Sequence, residues 1–131
     1  MRRPLNITVI PKDFGTVQIE AEPEASEAAN TEFRNAVWPL YEQPAREKLW
    51  SGGFACPAEN YMTLVDFGQT KVTGGKQGSK SNSTKLYTIP GDPCRAPANG
   101  VVVLARNLAL PGKTVVNDHG CGVRRYINGL D

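Results

Sequence analysis

The only histidine of the chain, His119, stands in the run Asp118-His119-Gly120-Cys121, which brings a carboxylate, an imidazole and a thiol within four residues. With Cys56 or Cys94 brought in from a distance, these are the residue types of a thiol nucleophile with its base, or of a three-ligand metal site. Neighbours in sequence do not by that fact converge on a site. Glycines flank Cys121, and Asn, Asp and His tolerate left-handed backbone angles, so Asn117 to Gly122 reads as a turn rather than a reaction centre. On that reading no catalytic residue, no metal ligand set and no cofactor is expected, and His119→Ala leaves fold and function nearly intact.

The cysteines point the same way. Cys56, Cys94 and Cys121 make an odd count, and the absence of any C-x-x-C pair rules out the common zinc templates. They read as reduced and structural. A Cys56–Cys94 bridge between two proline-flanked loops is the one pairing foreseen, in an oxidising compartment. No paired carboxylates stand out. Asp66, among Leu64, Val65 and Phe67, is the acid nearest to an apolar run, and strand alternation is expected to turn it to solvent.

A different chemistry is written in the basic residues. Gly74-Gly75-Lys76-Gln77-Gly78-Ser79-Lys80-Ser81 approaches a phosphate-binding loop but has Ser79 where the G-x-x-x-x-G-K-[ST] template needs glycine. The segment that follows has strand spacing and ends at Pro90, so no helix would offer its positive end to a phosphate. Charge is the better guide. Lys71, Lys76, Lys80 and Lys85 have no acidic residue between them, and Arg124-Arg125-Tyr126 adds two cations beside a ring able to stack on a base. Together they form the candidate surface for an acidic partner or for a nucleic-acid backbone.

Several elements must position these groups. Leu5, Ile7 and Val9 alternate with polar residues, as do Val17, Ile19 and Ala21, which predicts an N-terminal β-hairpin around Pro11 to Gly15. Pro23, Glu24 and Glu27 suit a helix start, and Ala25, Ala29, Phe33, Ala36, Val37, Leu40 and Tyr41 recur at helical spacing. Pro39 predicts an end or a kink near Trp38, and Pro44 a second short helix through Trp50 to Gly52-Gly53. Trp38, Tyr41 and Trp50 are assigned to packing between helix and sheet, with a partner-binding aromatic patch as the alternative. Beyond Gly53, strands are expected at Tyr61 to Phe67, Lys85 to Ile89, Val101 to Ala105 and Thr114 to Val116. The apolar run of Val101 to Ala105 is expected to be the buried central strand. Thr73 to Thr84 is expected to be a flexible loop.

The order ββαα then ββββ predicts an α+β fold: an N-terminal β-hairpin, one or two helices, then an antiparallel sheet of about four further strands. At 131 residues and 40% hydrophobic, the chain is expected to form one domain over 1–131, and its 13 Gly and 10 Pro exclude a coiled coil. No run is long and apolar enough for a membrane helix, so the chain is expected to be soluble, cytoplasmic or virion-associated, with no membrane partner. Residues 1–60 carry six Lys/Arg against nine Asp/Glu, and residues 61–131 nine against four, so the charge is split along the chain. With no reaction centre in view, the expected function is that of a small non-enzymatic module for protein–protein interaction or structural assembly, of a kind common among viral and phage-encoded chains. Phosphate-backbone binding through the 71–85 segment and a small enzyme centred on His119 and a cysteine are the alternatives.

Overall fold

The computed structural model describes residues 4–130. The fold is α+β, with one helix and eight strands among those residues. Contacts divide it into two compact units, one of residues 4–22 and 62–87, the other of residues 23–61 and 88–130.

In the first unit, β1 (Thr16–Gln18), β3 (Thr70–Thr73) and β4 (Lys76–Lys80) form a sheet in the order β1-β3-β4, with β1 parallel to β3 and β4 antiparallel to it. A separate two-stranded ribbon pairs β2 (Met62–Val65) with β5 (Lys85–Tyr87). The flexible loop expected over Thr73 to Thr84 is instead largely a β-hairpin. Thr73 pairs with Lys76, leaving Gly74-Gly75 as a two-residue turn, with φ of 56° and 79°. Positive φ at both central residues is what a type I′ hairpin turn needs, and glycine reaches it without strain. Polar side chains did not keep the segment from ordering, because backbone ladder bonds rather than apolar burial hold it.

The N-terminal hairpin is also corrected. Only Thr16–Gln18 is a strand, and its partner is β3. The Asp13 carboxylate accepts the Gly15 N–H at 2.9 Å, and Phe14 packs edge-on against Phe67 at 6.1 Å. These contacts steer the chain before Gly15 onto the turn after β2 instead of back along β1. Residues 4–15 form no strand or helix.

In the second unit, α1 (Glu27–Glu42) packs on a three-stranded antiparallel sheet of β6 (Val101–Leu108), β7 (Gly112–Asp118) and β8 (Arg124–Leu130), in the order β6-β7-β8. Ser26 caps the helix by accepting the Ala29 N–H at 3.1 Å, one turn later than the expected start at Pro23. The helix also runs through Pro39, which removes one ladder bond without ending it. Its anchoring is tertiary: Ala36 and Val37 are buried with Leu108, flanked by Phe33, Leu104 and Tyr126. Trp38 and Tyr41 are 61% and 63% exposed, so neither is the core residue expected, although Tyr41 stacks on Tyr126 with ring centroids 6.5 Å apart.

The central strand is β7, not the apolar run. Val101 and Val102, on edge strand β6, are 39% and 58% exposed, while Thr114, Val116, Asn117 and Asp118 of β7 are buried. Hydrophobicity alone misplaces the centre here because β7 buries the polar side chains of Thr114, Asn117 and Asp118. The second helix from Pro44 is absent, since residues 44–50 form neither helix nor strand. Their backbone bonds go elsewhere: Leu49 N–H to His119 O at 2.9 Å, and Arg46 O from Cys121 N–H at 2.8 Å.

Candidate functional site

The lysines expected to bind an acidic partner gather on the first unit. Lys71 lies on β3 and is partly covered, Lys76 and Lys80 are exposed at the two ends of β4, and Lys85 opens β5. Every residue of β4 is exposed. Lys85 pairs with Glu22 at 3.8 Å across an open surface, a contact of small energy. The hairpin therefore presents cations on a regular strand.

Arg124, Arg125 and Tyr126 belong to β8 in the other unit, and each is engaged in packing. Arg125 lies over the Phe54 ring at 4.8 Å, which leaves its guanidinium beside an aromatic face. Tyr126 packs beneath α1 against Tyr41. Burial first, and then the neighbouring Tyr41 hydroxyl, hold the Tyr126 phenol above its ordinary pKa. Arg124 is almost covered, and its Nε stands 3.5 Å from Asp118 Oδ2.

Asp118 is the centre of a buried polar knot. Its Oδ2 also faces Arg46 Nε at 3.6 Å, and its Oδ1 accepts the Gly120 N–H at 2.9 Å. His119 follows with no exposed surface at all. Its Nδ1 donates to the Asn99 carbonyl at 2.8 Å, because a carbonyl can only accept, and its Nε2 is buried with no hydrogen-bond partner. Phe54 meets the imidazole edge-on at 5.1 Å, and Trp50 packs on Phe54 at 5.5 Å. Gly120 lies so close to Glu47 that any side chain there would strike the Glu47 carbonyl. The knot clips residues 46–54 to the end of β7.

This arrangement corrects the reading of Asn117 to Gly122 as a plain turn. Asn117 and Asp118 finish β7, the turn itself covers residues 120–122 with Cys121 at φ 52°, and His119 is a buried brace. Cys121 is exposed while the imidazole is closed off, so these two neighbours share no open surface. Among the described residues no three His, Cys, Asp or Glu side chains converge as metal ligands. Asp66 is exposed, as expected, and its carboxylate accepts the Phe67 N–H at 2.9 Å.

The largest feature outside those expectations is apolar. Leu5, Ile7, Val9 and Ile10 are 73–83% exposed, and on the same unit Met62, Leu64, Phe67 and Tyr87 are 44–61% exposed. The alternation of residues 5–10 is the sequence signal for this arm, and it is the same signal that a strand paired within the chain would give. On the helix, Thr31, Arg34, Asn35 and Trp38 line an open depression of about 630 Å³. Compared with known proteins, the sequence matches no family model and no curated protein.

Proposed function

We propose that the chain is a non-enzymatic structural module that assembles by protein–protein contact with further copies of itself. The observation that carries this reading is the extended apolar arm of residues 5–10. Side chains of this type are worth roughly 1.5 to 3 kcal/mol each when fully buried, so leaving four in water forgoes several kcal/mol. The total surface supports the same reading. The chain exposes 10168 Å². Compact monomers of 14.2 kDa expose about 6,800 Å², and two wholly separate bodies of these sizes about 8,100 Å². An excess of roughly 2,000 Å² is more than one partner buries in a standard interface, and fits an obligate assembly.

A second copy is the partner that the chain itself suits. Among the described residues the ribbon of β2 and β5 has no third strand, and it exposes Met62, Leu64 and Tyr87 and is too small to be stable as an isolated pair. An arm of alternating apolar residues added to such an edge supplies both ladder bonds and apolar cover. Two copies can exchange arms reciprocally about a two-fold axis. A viral or phage setting, in which many copies of a small chain assemble, suits this reading. Sedimentation velocity over a range of concentrations tests the proposal: it requires species heavier than 14.2 kDa.

A second reading rests on β4. Lys76 and Lys80 stand on a fully exposed strand, Lys71 on the strand paired with it and Lys85 on the separate ribbon of the same unit, an arrangement suited to phosphates read without sequence preference. Salt-dependent retention on a polyanion column tests it. The buried ring of His119 gives the enzyme reading no support.

A further inference from the structure

Two backbone hydrogen bonds tie residues 55–57 to residues 95–97: Ala55 N–H to Pro97 O at 2.8 Å, and Arg95 N–H to Pro57 O at 2.9 Å. Their spacing is that of an antiparallel pair. Pro57 and Pro97 have no N–H to return the reciprocal bonds, which is why the segments carry half a ladder and are not a regular strand pair. The register sets Cys56 opposite Ala96 and Cys94 opposite Ala58. Alternation along these segments sets Cys94 on the face shared by Ala96 and Cys56, one diagonal step of about 7 Å away, so the bond closes with a local shift of two segments that no regular ladder holds. Arg95 and Glu59, 3.2 Å apart, add an ion pair beside them. Both thiols are exposed.

The geometry points to Cys56 and Cys94 as an oxidisable pair that closes an intrachain disulfide by exchange with a low-molecular-weight disulfide. One protein thiolate attacks a sulfur of the external disulfide, forming a mixed disulfide and releasing one thiolate. The second protein thiolate then attacks the protein sulfur of that mixed bond and expels the other. Two S–H bonds are lost from the protein, two protons and two electrons pass to the external disulfide, and two small thiols leave. Partial burial, and next the proximity of Cys56, push the Cys94 thiol up, so Cys94 ionises later than an ordinary cysteine and suits the second step. The bond would join residues that lie on either side of the segment 62–87 in the sequence. Cys121 sits in the turn after β7, outside this face.

Incubation of the full chain with oxidised glutathione, followed by denaturing alkylation and peptide mapping, tests the pairing. The expected result is a peptide linking Cys56 to Cys94, two hydrogens lighter than its reduced parts, with Cys121 outside the bridge. Cys56→Ser and Cys94→Ser alter exposed positions and should each convert the remaining partner to a mixed glutathione disulfide. The same reaction in urea should lose the preference for this pair. Two separate glutathione adducts on the folded wild type, a bridge to Cys121, or equal pairing in urea would each overturn the inference.

Discussion

Arg124 Nε lies 3.5 Å from Asp118 Oδ2, with the aspartate side chain 1% exposed and the arginine 8%. So little water reaches the pair that neither charge can be left alone without a large penalty, and Arg46, half exposed at 3.6 Å, links the pair to the surface.

Asp118→Ala strands the Arg124 guanidinium and frees the Gly120 N–H at once. The expected loss is about 3 to 5 kcal/mol, the range for breaking a buried ion pair from one side. Urea denaturation of the variant checks this, and a change below about 1 kcal/mol would show that the guanidinium reorients to solvent.

His119→Ala should destabilise the chain by about 2 to 4 kcal/mol, through the cavity left under Phe54 and the unpaired Asn99 carbonyl. The sequence alone favoured a neutral outcome, so a thermal melt of this variant discriminates directly between turn and brace. An unchanged midpoint would restore the turn reading.

How much was legible beforehand follows the range of the forces involved. The helix and the strands at Met62–Val65, Lys85–Tyr87, Val101–Leu108 and Gly112–Asp118 were readable because local periodicity decided them. The hairpin over Lys76–Lys80 was hidden by its Gly, Ser and Lys content, although Gly74-Gly75 was the signal for it. Residues 44–50 carried helix-like spacing, but long-range bonds to His119 and Cys121 overrode it. For the same reason no local pattern distinguished β7 as the central strand. The lysine cluster was legible as charge, whereas the role of Arg124 depends on Asp118 across a strand pair and was not.

Replacing Lys71, Lys76, Lys80 and Lys85 by Gln should shift stability by no more than about 1 kcal/mol, since three of the four are exposed. Retention on a polyanion should fall, and the difference from wild type should shrink as salt rises. Unfolding of the variant would mean that these side chains support the hairpin itself.

The raised phenol of Tyr126 gives an alkaline prediction. Below its ordinary value of 10.0 the ring is neutral both folded and unfolded, so it adds no pH dependence. Above that value the unfolded chain releases the proton while the folded chain holds it. Stability therefore falls as pH rises past about 10. Tyr126→Phe should flatten this limb in denaturation curves recorded across that pH range, and a limb of unchanged slope would assign the loss to other groups.

The claim that the chain assembles through its arm is tested most directly by sedimentation velocity on the wild type beside an Ile7→Asp, Val9→Asp double variant. Both residues are more than 70% exposed, so the substitutions leave the fold intact, as circular dichroism would verify. The wild type should sediment as a multimer of the 14.2 kDa chain and the variant as a monomer. A wild type that stays monomeric at every concentration would contradict self-assembly, while a variant that still assembles would remove the arm from the contact and leave assembly standing.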